Sequence, residues 1–170
     1  MSEVKKVVLV GPMGAGKSTL GKIVAAKLGW PYFDNDAEMT SRYGHSQEAL
    51  ATMSVTELHA LESKYLADVL SEVGPLITGA AASVVDYPEN RELLKSAMTI
   101  YLRIPLSAVI ERAGKSGVGR QALIEDGDLI LAERYERRDP LYKEVAQATI
   151  DLTVNPDSDA ERLLALIAKS

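Results

Sequence analysis

The segment Gly11–Ser18 constrains the fold more than any other feature of the chain. Its residues, GPMGAGKS, fit the pattern G-x-x-x-x-G-K-[ST] at every fixed position. An apolar, β-branched run over 4–10 precedes the segment, and apolar residues at helical spacing follow it up to Gly29. We therefore expect a strand, a glycine-rich loop and a helix in that order. Such a loop turns successive backbone N–H groups inward beside the positive end of the helix dipole, and so binds phosphate groups. The residues expected to contact phosphate are Gly11, Gly14, Ala15, Gly16, Lys17, Ser18 and Thr19.

The rest of the chain alternates strand and helix patterns. Further strands are expected over 30–33, 75–78, 98–102 and 148–154. Helices are expected over 37–43, from the capping box at Ser54 and Glu57 to about 73, over 89–97, from Pro105, over 128–138 and from Ser158. Five strands separated by helices predict one α/β domain over 1–170, a three-layer α/β/α arrangement around a five-stranded parallel sheet. Ligands of such a sheet bind outside the carboxyl ends of its strands.

Composition excludes several functional classes. The 170 residues carry a formal net charge of -5, so no overall positive field attracts nucleic acid or an anionic membrane. Cysteine is absent, which removes disulfides and thiolate chemistry, and no apolar run approaches the roughly 20 residues of a membrane span. The first residues are too charged to begin a secretory leader. We expect a cytoplasmic protein that binds neither nucleic acid nor membranes.

The phosphate loop leaves the reaction open, but the remaining sequence narrows it. A Ras-like GTPase would carry D-x-x-G and N-K-x-D patterns, and neither occurs in this chain. The length also leaves no room for the additional segments of a motor or a helicase. A small phosphotransferase is therefore the favoured class.

Four groups of residues together resemble the shikimate kinase family, and the resemblance spans almost the whole chain. They are the loop Gly11–Thr19, the triplet Asp34-Asn35-Asp36 after a strand, Arg120 in a flexible loop, and the run Arg138-Asp139-Pro140-Leu141-Tyr142. The resemblance implies a P-loop fold of the nucleoside-monophosphate-kinase type. It also implies transfer of the γ-phosphoryl group of ATP, with Mg²⁺, to a ring hydroxyl of shikimate, by a protein expected to be a monomer.

The resemblance also implies roles for individual residues. Lys17, Asp36 and Arg120 would be catalytic, with Arg120 in a lid over about 113–123, while Ser18 and Asp34 would hold the metal ion. Arg112 would stack on adenine. The acceptor would contact Asp36, His59, Gly79, Ala80, Ala81 and Arg138.

Simpler interpretations of these residues stay open. The two aspartates also suit the cap and first turn of a helix. Arg112 and Arg120 also suit a solvated surface, and Arg137 could point inward in place of Arg138.

Three departures from the family pattern fall mainly on the acceptor side. Leu58-His59 stands where the family has Phe-Arg, so one cation for the acceptor's carboxylate is replaced by an imidazole that is mostly neutral at pH 7. A solvent-facing His59 is an equally good interpretation. Gly79-Ala80-Ala81 replaces three glycines, which narrows the pocket and would cost on the order of 1 kcal/mol at any position that requires a positive φ. Arg120-Gln121-Ala122-Leu123 replaces Arg-Pro-Leu-Leu.

These departures leave two alternatives to shikimate phosphorylation. One is a sibling kinase for another hydroxylated metabolite, such as a polyol, a cyclitol or a sugar acid. The other is a regulatory module that binds nucleotide without transferring phosphate.

Overall fold

Five parallel strands form the centre of the computed structural model, which describes residues 5–113 and 127–170. The strands are β1 (Lys6–Val10), β2 (Tyr32–Asp34), β3 (Leu76–Gly79), β4 (Met98–Arg103) and β5 (Ala148–Asp151). Their order is β2-β3-β1-β4-β5, and every neighbouring pair is parallel. The expected five-stranded parallel sheet is therefore confirmed.

Helices cover both faces of this sheet. They are α1 (Lys17–Leu28), α2 (Asn35–Tyr43), α3 (Gln47–Thr52), α4 (Val55–Leu70), α5 (Pro88–Lys95), α6 (Leu106–Ala113), α7 (Gly127–Val145) and α8 (Pro156–Lys169), with a 3₁₀ helix over Ala82–Asp86. The short α3 and the 3₁₀ helix were not expected from the sequence. No helix in the described residues is long and apolar enough to cross a membrane.

The central strand explains why the sheet is buried on both sides. Side chains alternate between the two faces of a strand, and Val7 to Val10 of β1 are all fully buried. Val7 and Leu9 pack in one cluster with side chains of α1 and α8. Val8 and Val10 pack in a second cluster with side chains of α4, α5 and α7. The apolar run before the phosphate loop thus anchors that loop in the middle of the molecule.

Two helix boundaries differ from the sequence-based expectation. Helix α8 begins at Pro156, and Asn155 caps it by accepting hydrogen bonds from the backbone N–H groups of Asp157 and Ser158, both at 3.1 Å. Ser158 is therefore not the cap. Proline suits the first helical position because its φ is fixed and the missing N–H would be unpaired there, so the helix starts earlier than the Ser158–Glu161 pattern indicates.

Helix α7 continues beyond Arg138, the residue at which the sequence predicted its end. Pro140 lies inside the helix, which runs to Val145. A proline removes one helical hydrogen bond. Beyond it, however, Tyr142 and Val145 are buried, and the centroid of the Tyr142 ring lies 4.8 Å from that of the Tyr101 ring. Tertiary packing of the last two turns therefore outweighs the local tendency of proline to end the helix.

Tyr32 of β2 packs directly against α1. A Cβ atom placed on Gly21 of α1 would lie 2.2 Å from a carbon of the Tyr32 ring, far inside van der Waals contact. Glycine weakens a helix by about 1 kcal/mol relative to alanine. The missing Cβ at Gly21 is thus explained by the aromatic ring beside it.

We expect Gly21→Ala to destabilise the protein by about 1–3 kcal/mol, because crowding of a packed core outweighs the gain in helix propensity. In a Tyr32→Ala background the obstructing ring is absent, and the same change should be neutral or stabilising by up to about 1 kcal/mol. Urea unfolding of the four proteins in this double-mutant cycle measures both effects. A Gly21→Ala variant as stable as the parent protein would contradict the packing argument.

Candidate active site

A cleft of about 910 Å³ lies at the carboxyl ends of β1, β2 and β3. It brings together most of the residues that the sequence singled out. Those lining it are Gly14, Gly16, Lys17, Ser18, Thr19, Asp34, Asp36, His59, Gly79, Ala80, Ala81, Arg112 and Arg138. Gly11 and Ala15 belong to the same loop but are buried and are not among the residues that line the cleft. Arg120 and most of the predicted lid over about 113–123 lie outside the described residues.

The phosphate loop has the backbone shape that the motif requires. Gly11 has φ 152°, and a Cβ there would lie 2.5 Å from the carbonyl oxygen of Leu102 on β4. Gly16 has φ 96° and precedes the first turn of α1, where a Cβ would meet nothing within 4 Å. Within the described chain, no side chain caps α1, so the N–H groups of its first turn face the cleft without a capping partner. An anionic phosphate group fits this open, positively polarised end.

Lys17 connects the loop to the cleft. Its Nζ donates hydrogen bonds to the carbonyl oxygens of Gly11 at 2.8 Å and Pro12 at 2.9 Å. Burial lowers the pKa of the Lys17 amine to about 8, although the nearby carboxylates of Asp36 and Asp34 act in the opposite direction. The ammonium group is therefore held over the concave side of the loop, where it can contact bound phosphates.

Asp34 combines a structural and a chemical position. One oxygen, Oδ2, accepts a hydrogen bond from the backbone N–H of Ala37 and caps α2. The other, Oδ1, accepts hydrogen bonds from the Ser18 hydroxyl and, at 3.2 Å, from the Tyr32 hydroxyl. The capping interpretation and the functional one are thus compatible for this residue.

The Ser18–Asp34 pair also fits a magnesium ion. It supplies a hydroxyl and a carboxylate oxygen beside the phosphate loop, the hard ligands that Mg²⁺ prefers. The described residues contain no cluster of three His, Cys, Asp or Glu side chains that could form a complete metal cage. Mg²⁺ commonly binds through one or two protein oxygens, with phosphates and water completing its shell, so this sparse donor set is sufficient.

Asp36 is exposed in the first turn of α2 and lines the cleft. Its Oδ1 accepts a hydrogen bond from the Asn35 amide at 3.2 Å. Asn35 itself is buried, and its amide oxygen has no hydrogen-bond partner within the described chain. Because the Asp36 carboxylate is exposed and accepts this hydrogen bond through Oδ1, it can accept a further hydrogen bond from a hydroxyl group in the cleft.

Arg138, rather than Arg137, is the buried arginine of α7. Its Nε lies 3.1 Å and its Nη2 2.7 Å from the two carboxylate oxygens of Asp86, at the end of the 3₁₀ helix. Arg137 is more exposed and pairs with Glu133 at 3.1 Å. Burial raises the pKa of Asp86, but hydrogen bonds and positive charge from Arg138 outweigh that effect and hold it below its ordinary value. Asp86 was not singled out from the sequence.

His59 is half-buried and lines the cleft. Its Nδ1 is 2.8 Å from the hydroxyl oxygen of Tyr87, and the two rings meet edge to face. Burial lowers the pKa of the His59 imidazole, and the positive charge of Arg138 lowers it further. His59 is therefore neutral at pH 7 and offers hydrogen bonding rather than charge.

Gly79, Ala80 and Ala81 form the wall after β3. A Cβ on Gly79 would lie 2.9 Å from the Tyr32 hydroxyl oxygen, so a side chain there would require this hydroxyl to shift. Ala80 is buried, and Ala81 has φ −61°, an ordinary value for alanine. Ala81 therefore carries none of the positive-φ strain considered from the sequence.

Arg112 lines the cleft beside the phosphate loop. Its Nη1 donates a hydrogen bond to the carbonyl oxygen of Gly14 at 2.8 Å, which attaches α6 to the phosphate loop. The side chain is exposed, and the described structure gives it this contact with the loop.

Glu62 is a cleft residue that sequence reasoning missed. It follows His59 by three positions on α4, a spacing that places both side chains on one helix face, and this was the available signal. Its Oε2 accepts a hydrogen bond from the Ser83 hydroxyl at 2.7 Å. Burial raises the pKa of Glu62 to about 7, because desolvation outweighs the hydrogen bond from Ser83.

We expect Glu62→Gln to change how stability depends on pH. The folded state keeps the Glu62 proton up to about pH 7, whereas an unshifted carboxyl releases it near 4.5. Between these two pH values the Glu62 carboxyl is ionised in the unfolded chain but protonated in the folded one. The free energy of unfolding of the parent therefore falls as the pH rises, and the glutamine variant does not undergo this loss. The Tm of the variant relative to the parent should rise between pH 4.5 and 7 and level off above pH 7.

Thermal unfolding over this pH range measures the difference. Glu48→Gln, the same change at an exposed position of α3, is the matched control for charge. A difference in Tm that does not vary with pH would contradict the assignment of the raised pKa to Glu62.

Comparison with known proteins agrees with this geometry. The family model described as shikimate kinase matches residues 13–168. The shikimate kinase of Thioalkalivibrio sulfidiphilus is 31% identical over 153 residues, covering 89% of this chain and 80% of that protein. The shikimate kinase of Alteromonas mediterranea is 30% identical over 168 residues, covering 97% and 95%.

Solved structures give the same result. A shikimate kinase from Acinetobacter baumannii in complex with shikimate superposes with a TM-score of 0.85 at 28% identity, covering 98% of this chain and 94% of that one. A gluconokinase from Sinorhizobium meliloti, with a TM-score of 0.64 and 17% identity, shares the fold. With the family model covering nearly the whole chain, this protein belongs to the shikimate kinase family of ATP-dependent phosphotransferases that act on a hydroxyl group.

Proposed function

We propose that this protein transfers the γ-phosphoryl group of ATP to a ring hydroxyl of shikimate. The observation that carries the proposal is that one cleft is lined both by the phosphate loop with Lys17 and by Asp36 with Arg138. A phosphate donor and a hydroxyl acceptor can thus be bound next to each other in a single site. Positioning and electrostatic stabilisation supply most of the rate gain in phosphoryl transfer, so such a site has what the reaction needs.

The donor half is assigned to the phosphate loop and its neighbours. The backbone of Gly11, Gly14, Ala15, Gly16 and Thr19 and the first turn of α1 would bind the phosphates, and Lys17 would exchange its two loop carbonyls for phosphate oxygens. Ser18 and Asp34 would hold Mg²⁺, which neutralises charge on the phosphates when bound.

Two arginines complete this half of the proposal. Arg112 would stack on adenine at the outer rim, and its hydrogen bond to Gly14 supports this position. Arg120 is assigned to the lid by family resemblance, where a cation would stabilise charge on the transferring group.

The acceptor half is assigned to the opposite wall. Asp36 would accept a hydrogen bond from the reacting hydroxyl and orient it for attack, and its exposure in the cleft supports this role. Arg138 and His59 would face the carboxylate of shikimate. Gly79, Ala80 and Ala81 would shape the space around the ring, and Glu62 would add a hydrogen-bonding group.

We further propose that a single domain over 1–170 acts as a monomer in the cytoplasm. Both halves of the cleft come from one chain, which supports a site complete within one protomer. The cytoplasmic location rests on the composition, with its absence of cysteine.

An ADP-release assay with shikimate, quinate, gluconate and cyclitols as acceptors tests the proposal. We expect turnover with shikimate at millimolar concentration. Turnover of another acceptor in the absence of shikimate turnover would instead identify a sibling kinase. Tight ATP binding without acceptor-stimulated ATP consumption would indicate a nucleotide-binding regulatory module.

We expect Asp36→Asn to lower kcat by about 100-fold or more while the affinity for ATP changes little, because the variant loses the group that accepts the hydroxyl proton. Asparagine has the same shape and can keep the contact with Asn35. Steady-state kinetics gives kcat, and calorimetry gives the Kd of ATP. Asp157→Asn, an acidic residue in the first turn of α8, is the matched control. A fully active Asp36→Asn protein would exclude the proposed role.

A further inference from the structure

Two consecutive residues, Asp86 and Tyr87, contact both side chains assigned above to the acceptor's carboxylate. The Asp86 carboxylate binds the Arg138 guanidinium, and the Tyr87 hydroxyl binds Nδ1 of His59. All four side chains line the cleft. The protein thus places its own hydrogen-bonding groups where a carboxylate of the acceptor would have to bind.

The Asp86–Arg138 contact is a two-pronged ion pair. Nε and Nη2 of Arg138, one of the edges with which a guanidinium binds a carboxylate side by side, are both directed at Asp86, at 3.1 Å and 2.7 Å. A second arginine, Arg137, also approaches this carboxylate, with its Nη2 3.6 Å from Oδ2 of Asp86. An incoming carboxylate must therefore displace Asp86 from this edge or bind Arg138 with the charge of Asp86 beside it.

Burial makes this competition significant. The side chains of Arg138 and Asp86 are only 11% and 20% exposed, so their attraction is screened less than that of a surface pair. His59, held by Tyr87, adds no positive charge because burial keeps it neutral. Arg134 lines the same cleft and makes no ion pair within the described residues, so an acidic acceptor retains a cation other than Arg138 to contact.

We propose that Asp86 determines acceptor specificity by taking the place of a substrate carboxylate on Arg138, so that the pocket accepts uncharged hydroxylated rings about as well as ring acids. A carboxylate at position 86 accepts hydrogen bonds from hydroxyl groups and repels a second carboxylate. The favoured acceptors are accordingly ring polyols and ring esters in addition to the acid. This inference rests on the proposed phosphorylation of shikimate and concerns the same pocket.

Shikimate and its methyl ester form the matched pair of acceptors for the test, since they differ in one negative charge. With the parent protein we expect kcat/KM values for the acid and the ester within about tenfold of each other, because Asp86 already neutralises Arg138. With Asp86→Asn, which keeps the shape and removes the charge, kcat/KM for the acid should rise by about tenfold while that for the ester stays within about twofold.

Glu161→Gln is the control, because it removes one negative charge from an exposed ion pair between Glu161 of α8 and Lys27 of α1, and neither residue lines the cleft. Its acid-to-ester ratio should equal that of the parent. Circular dichroism and thermal unfolding test whether the Asp86→Asn protein is folded. If it is not, the comparison of acid and ester with the parent protein decides alone, and a preference for the acid above about tenfold would overturn the inference.

Binding of both acceptors, measured by calorimetry with ADP and magnesium present, separates this inference from the proposed function. Turnover of shikimate with a strong preference for the acid, unchanged in Asp86→Asn, would overturn the role of Asp86 and leave the function standing. Binding of acid and ester that follows the expected pattern without turnover would overturn the function and leave the role of Asp86 standing. Absence of binding by either acceptor would overturn both.

Discussion

The close approach of the loop after β1 to the neighbouring strand β4 is the constraint on which the rest of the site depends. Gly11 lies so near the carbonyl of Leu102 that no side chain fits between them. Lys17, at the start of α1, donates hydrogen bonds to the carbonyl oxygens of Gly11 and Pro12 and so connects the end of the loop to its beginning. The loop is thus fixed at the centre of the sheet, with the uncapped start of α1 directed into the cleft. The other side chains of the cleft are placed around this fixed point by the ends of β2 and β3 and by α4, α6 and α7.

The run 138–142 shows how one helix face can both pack into the core and line the cleft. Arg138 and Tyr142 are four residues apart on α7 and are both buried, whereas Pro140 between them is exposed. The Tyr142 hydroxyl donates a hydrogen bond to the carbonyl of Ala82 at 2.7 Å, at the start of the 3₁₀ helix whose last residue is Asp86. The same turn of α7 therefore holds one end of the 3₁₀ helix and pairs with the other.

Much of the fold could be predicted because its signals are local. β-Branched runs that end at glycine predicted the strands beside the phosphate loop. The capping box predicted at Ser54 and Glu57 is also formed. The two errors in helix bounds have different causes, one in distant packing and one in a local cap. Helix α7 passes through Pro140 because its last turns are buried, and α8 starts at Pro156 because Asn155 supplies the cap.

The residues of the cleft also differ in whether local sequence patterns identify them. Lys17, Ser18 and Asp34 belong to short motifs and were found from the sequence. Asp86 was not, because its partner Arg138 lies 52 positions further along the chain and no periodic pattern links them. Glu62 was not singled out either, because only the folded chain brings it into contact with Ser83.

Tyr32 touches more of the site than its place on a short edge strand suggests. Its ring fills the space left by Gly21, its hydroxyl lies against Gly79, and that hydroxyl also donates a hydrogen bond to Asp34. The ring therefore works as a spacer that sets how far α1 stands from β3. A larger residue at position 21 is therefore best accommodated by a smaller residue at position 32, which couples the choice of residue at these two positions.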